Sequence, residues 1–99
     1  MRYKFSKANI ESFRTFYELT QAKLGHDGVR KFRVTLDDVC QQTDDKEAPL
    51  FVDLSIEEQD LLLEFIELAK QTIPNFSAKF GEQFNSLYSA LKSPVVNEE

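Results

Sequence analysis

The sequence predicts a mainly α fold of three helices with a minor β element, a small single-domain α or α+β protein. Three observations lead to it: a helix start signal before a long apolar run, aromatic residues four positions apart near the C-terminus, and only three Gly and three Pro. Helical spacing of apolar residues indicates amphipathic helices, and few Gly and Pro leave little room for long loops. Among the 99 residues, we expect one domain over residues 1–93 and a flexible C-terminal tail over residues 94–99.

A short strand and a helix are the first elements predicted. Residues 2–5 alternate between basic and aromatic side chains, which favours an edge strand because successive side chains of a strand point to opposite faces. Ser6 then serves as the N-cap of a helix over residues 7–24. The sequence Gly-His-Asp-Gly at residues 25–28 supplies the C-terminal stop of this helix and a turn.

The next segment has the period of a strand. Polar and apolar side chains alternate over residues 31–36, which predicts a half-buried strand. Thr35 could instead cap a short helix whose first turn contains two acidic residues. We expect the strand to lead into such a turn, followed by a polar loop over residues 41–48 and a second short strand over residues 50–54.

The most informative stretch is the helix that begins after Ser55. Ser55 and Glu58 have the spacing of a capping box, in which each side chain bonds the backbone amide of the other residue. Apolar residues then cover more than half of the helix circumference, and Pro74 ends the helix near residue 72. Acidic residues recur at spacings of three, four and three, which places them together on the remaining face. They are Glu57, Asp60, Glu64 and Glu67.

A last helix is predicted over residues 75–92. Its aromatic residues step by four positions and therefore form one stripe. These residues are Phe76, Phe80, Phe84 and Tyr88. Aromatic side chains fill cores and are also enriched at the centres of protein interfaces, so the stripe allows both interpretations.

The net charge of −5 hides an asymmetry along the chain. Residues 1–33 carry eight basic and three acidic side chains, whereas residues 34–69 carry one basic and eleven acidic side chains. An acidic helix face suits a basic partner. The leading hypothesis is a non-catalytic protein–protein interaction or regulatory protein that docks on a larger macromolecule through the acidic helix face and an aromatic patch. The partner-binding residues predicted on this hypothesis are Glu57, Asp60, Glu64, Glu67, Phe80, Phe84 and Tyr88.

The alternative hypothesis is a nucleic-acid-binding regulator that contacts phosphates through Arg30, Lys31 and Arg33. If residues 31–36 form a strand, Lys31 and Arg33 point to the same face. The acidic balance of the whole chain weighs against this hypothesis, because phosphates and carboxylates repel each other.

The sequence contains no signature of catalysis, metal binding or a cofactor. The single histidine, His26, and the single cysteine, Cys40, lie in different predicted elements, so the spacing does not indicate a nucleophile paired with a base. Structural zinc needs about four Cys or His ligands, and no phosphate-binding glycine motif occurs. We therefore predict a protein that is not an enzyme and binds neither metal nor cofactor.

Location and assembly are predicted from composition. One cysteine excludes an internal disulfide and suits a reducing, cytoplasmic setting. No segment reaches the roughly 18–20 apolar residues of a membrane span. The apolar surplus of the last two helices predicts a protein partner, with a symmetric dimer as one form of association.

Overall fold

Three helices and a two-stranded antiparallel sheet make up the part of the chain that the computed structural model describes, residues 1–44, 46–47 and 49–95. The elements follow in the order β1 (Arg2–Phe5), α1 (Lys7–Thr43), β2 (Leu50–Asp53), α2 (Ile56–Thr72) and α3 (Phe76–Lys92). The prediction of a mainly α fold with a minor β element is therefore confirmed.

Helix α1 is a hairpin of two arms that reverses direction at Gly25. A straight helix of its 37 residues would be about 55 Å long, whereas the longest dimension of the molecule is 44 Å. Gly25 has φ 77° and ψ 177°, and Phe13 from before the bend lines the same groove as Cys40 from beyond it. We call residues 7–24 the first arm and residues 26–43 the second arm.

The second arm corrects the prediction of a strand over residues 31–36. Its buried apolar residues recur every three or four positions, at Val29, Phe32, Leu36 and Val39, and Thr35 and Thr43 are buried on the same side. Val34, which a strand would bury beside Phe32, is 78% exposed. The alternation extends over only six residues, whereas the helical spacing continues over the whole arm. The longer pattern prevails because it buries one continuous apolar face.

The predicted polar loop over residues 41–48 is wrong at its start, because the second arm continues to Thr43. The Thr43 hydroxyl donates a hydrogen bond of 3.0 Å to the carbonyl of Val39, one turn back. The remainder of the predicted loop includes positions 45 and 48, which lie outside the described residues.

Strands β1 and β2 form the predicted minor β element, with Arg2 opposite Asp53 and Phe5 opposite Leu50. One face of this ribbon is buried against the helices through Tyr3 and Val52, while the other face is exposed. The amide of Val95 donates a hydrogen bond of 2.8 Å to the carbonyl of Arg2. Most of the predicted flexible tail, residues 96–99, lies outside the described residues.

Two capping boxes set the starts of α1 and α2. The Ser55 hydroxyl accepts a hydrogen bond of 3.1 Å from the amide of Glu58, and the Glu58 carboxylate accepts one of 2.8 Å from the amide of Ser55. Ser6 makes the same reciprocal pair with Asn9. Both predicted N-caps are therefore confirmed, and each fixes the phase of the helix that follows it.

Aromatic rings from all three helices meet in one hydrophobic core. Phe16 packs 5.1 Å from Phe76, measured between ring centroids, and Phe32 packs 5.4 Å from Phe65. The first pair joins the first arm to α3, and the second pair joins the second arm to α2. With both arms fixed against the other helices, the outer face of α2 is held in a defined position.

Candidate functional site

The four acidic residues singled out in the sequence lie together on the solvent side of α2. All four are exposed: Glu57, Asp60, Glu64 and Glu67. The buried residues of the same helix occupy the opposite side: Leu62, Phe65, Ile66 and Ala69. We call the four carboxylates the acidic face. The capping box at Ser55 fixes where α2 begins, one residue later, and hence which side of the helix carries these four residues.

One lysine neutralises part of the acidic face. The Nζ of Lys31, on the second arm, lies 2.5 Å from Oε2 of Glu64. Both side chains are more than half exposed, and an exposed ion pair of this kind is screened by solvent and contributes about 0–1 kcal/mol. Within the described residues, the other three carboxylates have no basic side chain within ion-pair distance. The acidic face therefore keeps a negative balance.

A groove runs between the second arm and α2 along the edge of the acidic face. Its volume is about 500 Å³. We call it the α1–α2 groove, and its lining residues are Gly28, Lys31, Phe32, Glu64, Glu67, Leu68 and Gln71. The sequence did not predict this groove, because the alternation over residues 31–36 favours a strand there. The helical spacing of buried residues from Val29 to Thr43 is the signal that could have found it.

The aromatic residues predicted to bind a partner differ in how much surface they offer. Phe84 is buried, Phe80 is half-buried, and Tyr88 is 39% exposed. The Phe80 ring lies 5.5 Å from that of Phe16, so it belongs to the core contact with the first arm. The Phe84 ring stacks on that of Tyr88 at 6.0 Å. Of the three predicted residues, Tyr88 thus presents the most accessible ring, with Phe84 behind it.

The basic segment considered for nucleic-acid binding is helical, contrary to the strand prediction. In a strand, Lys31 and Arg33 would share a face, but residues two positions apart on a helix do not face the same side. Each also lies beside an acid: Lys31 contacts Glu64, and the Nε of Arg33 lies 3.8 Å from Asp37. Arg30 is exposed. Lys31 therefore lies apart from Arg33, whereas Arg30 and Arg33, three positions apart, share one side of the helix.

His26 and Cys40 lie at opposite ends of the second arm. They are fourteen positions apart along the helix, which corresponds to about 21 Å along the axis. His26 is exposed at the bend, where its ring lies 2.9 Å from the Gln21 amide. Cys40 lines a separate groove between the two arms. This arrangement cannot transfer a proton directly from one side chain to the other.

The described residues contain neither a group of metal ligands nor a helix that could span a membrane. Within residues 1–44, 46–47 and 49–95, no three His, Cys, Asp or Glu side chains are grouped so that they could hold a metal ion. Over the same residues, no helix is both long enough and apolar enough to span a membrane. No protein-family model matches the chain, and no match was found among curated proteins or solved structures.

Proposed function

We propose that this chain is a small non-catalytic interaction protein that docks on a basic macromolecular partner through the acidic face of α2. The observation that carries the proposal is the placement of Glu57, Asp60, Glu64 and Glu67 on one exposed face of a helix. A rigid helix presents these charges in a fixed array, and complementary charge steers association and orients the partner.

The aromatic part of the proposed contact rests on Tyr88. Its ring is partly exposed and stacks on Phe84, so the core limits its motion. Phe84 supports the ring from inside the fold, whereas Phe80 packs on Phe16, and both offer less surface than Tyr88. Partly exposed, well-supported aromatic rings are typical of interface centres, because they bury much apolar area at a small cost in conformational entropy.

A second copy of the chain and a cytoplasmic location belong to the same proposal. The N-terminal third of the chain is basic and the middle third is acidic, so one copy carries both charges that a self-complementary contact needs. The single cysteine supports a reducing compartment.

Nucleic acid is the alternative partner, although two of the three basic residues proposed for it already contact carboxylates.

The experiment is affinity capture from the native host lysate with wild type and a charge-reversal variant. The variant carries Glu57→Lys, Asp60→Lys and Glu64→Lys. The control carries Glu11→Lys, Glu18→Lys and Glu82→Lys, which changes the net charge equally at exposed positions outside α2. Glu58 is left unchanged because it caps the helix. Circular dichroism checks that both variants keep their helicity.

We expect wild type and the control to retain the same protein at a stoichiometric level, and the α2 variant to lose it. Equal retention by the α2 variant would refute the proposal. Retention that disappears after nuclease treatment, and after Arg30, Lys31 and Arg33 are changed to Ala, would establish nucleic-acid binding instead. Analytical ultracentrifugation of the purified protein tests whether a second copy is the partner.

A further inference from the structure

Lys31 makes two contacts at the α1–α2 groove that together resemble the binding of a lysine ligand. Its Nζ lies 2.5 Å from a carboxylate oxygen of Glu64, and the same atom lies 5.2 Å from the ring centroid of Phe32. A carboxylate and an aromatic face are the two groups that attract an ammonium or guanidinium cation. The groove therefore already holds one cation, which belongs to the chain itself.

The groove contains further residues that could bind a cationic side chain. Glu67 lies one turn beyond Glu64, is exposed, and pairs with no basic side chain of the described residues. Leu68 adds an apolar wall, and Gln71 adds a neutral polar group at the far end. Gly28 lines the opposite side and contributes no side chain that would fill the space.

We propose that the α1–α2 groove binds a lysine or arginine side chain of the basic partner, and that Lys31 occupies this site until the partner displaces it. This inference rests on the proposed function, because the groove lies along the acidic face, and it identifies the chemical group that the face recognises. The apolar stem of the incoming side chain would lie on the half-buried Leu68, since Phe32 is only 2% exposed, and its charged end would reach Glu64 and Glu67.

Displacement is feasible because the internal pair is exposed. Lys31 and Glu64 are both more than half accessible to solvent, and exposed pairs of this kind contribute little to the stability of the fold. An arginine has a planar fork that binds a carboxylate through two hydrogen bonds, whereas Lys31 approaches as a point charge. A cation from the partner would also gain the interaction with Glu67, for which no partner is found within the described residues.

The test measures binding of a fluorescent oligo-arginine peptide by anisotropy at low ionic strength. Lys31→Met removes the competing charge and keeps an apolar stem. Lys79→Met removes one charge from an exposed position on α3, outside the groove. We expect the Kd to fall about fivefold more for Lys31→Met than for Lys79→Met. Only Lys31→Met releases the Glu64 carboxylate from an exposed ion pair.

A second change tests the groove itself. Glu64→Gln, introduced beside Lys31→Met, should reverse most of the gain in affinity, because it removes the carboxylate that Lys31→Met frees. The difference between the variants should also disappear at high salt, because exposed charges are then screened. Lys31→Gln replaces Lys31→Met if the latter fails to fold.

Equal effects of Lys31→Met and Lys79→Met would overturn this inference, as would an absence of peptide binding in every variant. Neither result would contradict the proposed function. That proposal depends on a different result, namely that wild type captures the native partner and the α2 charge-reversal variant does not. Loss of that capture difference, with the peptide results as expected, would refute the proposed function alone.

Discussion

Gly28 lies so close to Leu24 that a Cβ on Gly28 would overlap the Cβ of Leu24. Residues four apart in a regular helix keep their Cβ atoms about 5–6 Å apart, so this close approach results from the reversal at Gly25. Gly25 has φ 77° and ψ 177°, a backbone conformation that is open almost only to glycine. The two glycines therefore differ in their roles: Gly25 makes the bend, and Gly28 leaves room for the end of the first arm.

Replacing Gly28 with Ala should destabilise the fold. The added methyl group can be accommodated only if Leu24 moves away, because the overlap is with the first side-chain carbon and not with a flexible end. We expect the free energy of unfolding to fall by about 1–3 kcal/mol, the usual cost of overpacking. Urea unfolding followed by circular dichroism measures it.

Gly81→Ala is the matched control for this prediction. Gly81 lies in α3, and a Cβ there would meet nothing within 4 Å. Alanine restricts the unfolded chain and favours the helix, so the free energy of unfolding should rise by about 0.5–1 kcal/mol. Equal effects of the two substitutions would show that the contact between Gly28 and Leu24 does not limit the fold.

How much the sequence could predict depended on how many independent signals agreed. Helix α2 was predicted with its correct bounds, because a capping box, a wide apolar face and Pro74 all indicate the same element. The second arm was missed because its first residues also alternate like a strand. Val34 is an exposed apolar residue at the position where alternation required a buried one, and single exposed apolar residues are common on protein surfaces.

The candidate site was predicted only where it lies on one element. The acidic face follows from spacing within α2, and its exposure is confirmed. The α1–α2 groove needs the position of a second helix, which no spacing within α2 contains. The aromatic stripe of α3 was likewise predicted, but periodicity does not say which side the neighbouring helices cover. Phe84 is buried for that reason, while Tyr88 remains partly exposed.

Ser55→Ala should lower the free energy of unfolding because it removes the N-cap of α2. The substitution removes the acceptor of the 3.1 Å hydrogen bond from the Glu58 amide and leaves that amide without an intrahelical partner. We expect a loss of about 1 kcal/mol in the free energy of unfolding, measured by thermal melts under identical conditions. Ser77→Ala, at an exposed position within α3, should change stability much less. A similar loss in both variants would contradict a specific role of the cap.

Thr20→Val should leave the fold as stable or make it more stable. Thr20 is fully buried, and its Oγ1 has no hydrogen-bond partner among the described protein groups. A buried hydroxyl without a partner carries a desolvation cost, which a valine of similar shape avoids, so a gain of about 1 kcal/mol is expected. Thr20→Ser keeps the hydroxyl but loses the methyl group, and it should be less stable than wild type. Destabilisation by valine would show that the hydroxyl does have a partner.

The buried phenol of Tyr3 should make the fold sensitive to alkaline pH. Tyr3 is fully buried in the core, and burial, together with the negative charge of Asp60, raises the pKa of its hydroxyl above the usual value. The unfolded chain therefore loses this proton at a lower pH than the folded chain does. Above a pH of about 10, the folded state binds more protons than the unfolded state, so the free energy of unfolding falls as pH rises.

Tyr3→Phe removes that titration while keeping the ring that packs in the core. We expect the variant and wild type to have similar free energies of unfolding near neutral pH, because the one contact of the hydroxyl among the described residues is a long one, of 4.0 Å, to the Met1 sulfur. As pH rises beyond about 10, wild type should lose stability faster than the variant. Tyr88→Phe, which changes a partly exposed tyrosine, serves as the control for the loss of a hydroxyl outside the core. Parallel curves for Tyr3→Phe and wild type would mean that the folded protein accommodates the Tyr3 phenolate, and hence that this part of the core opens to water at high pH.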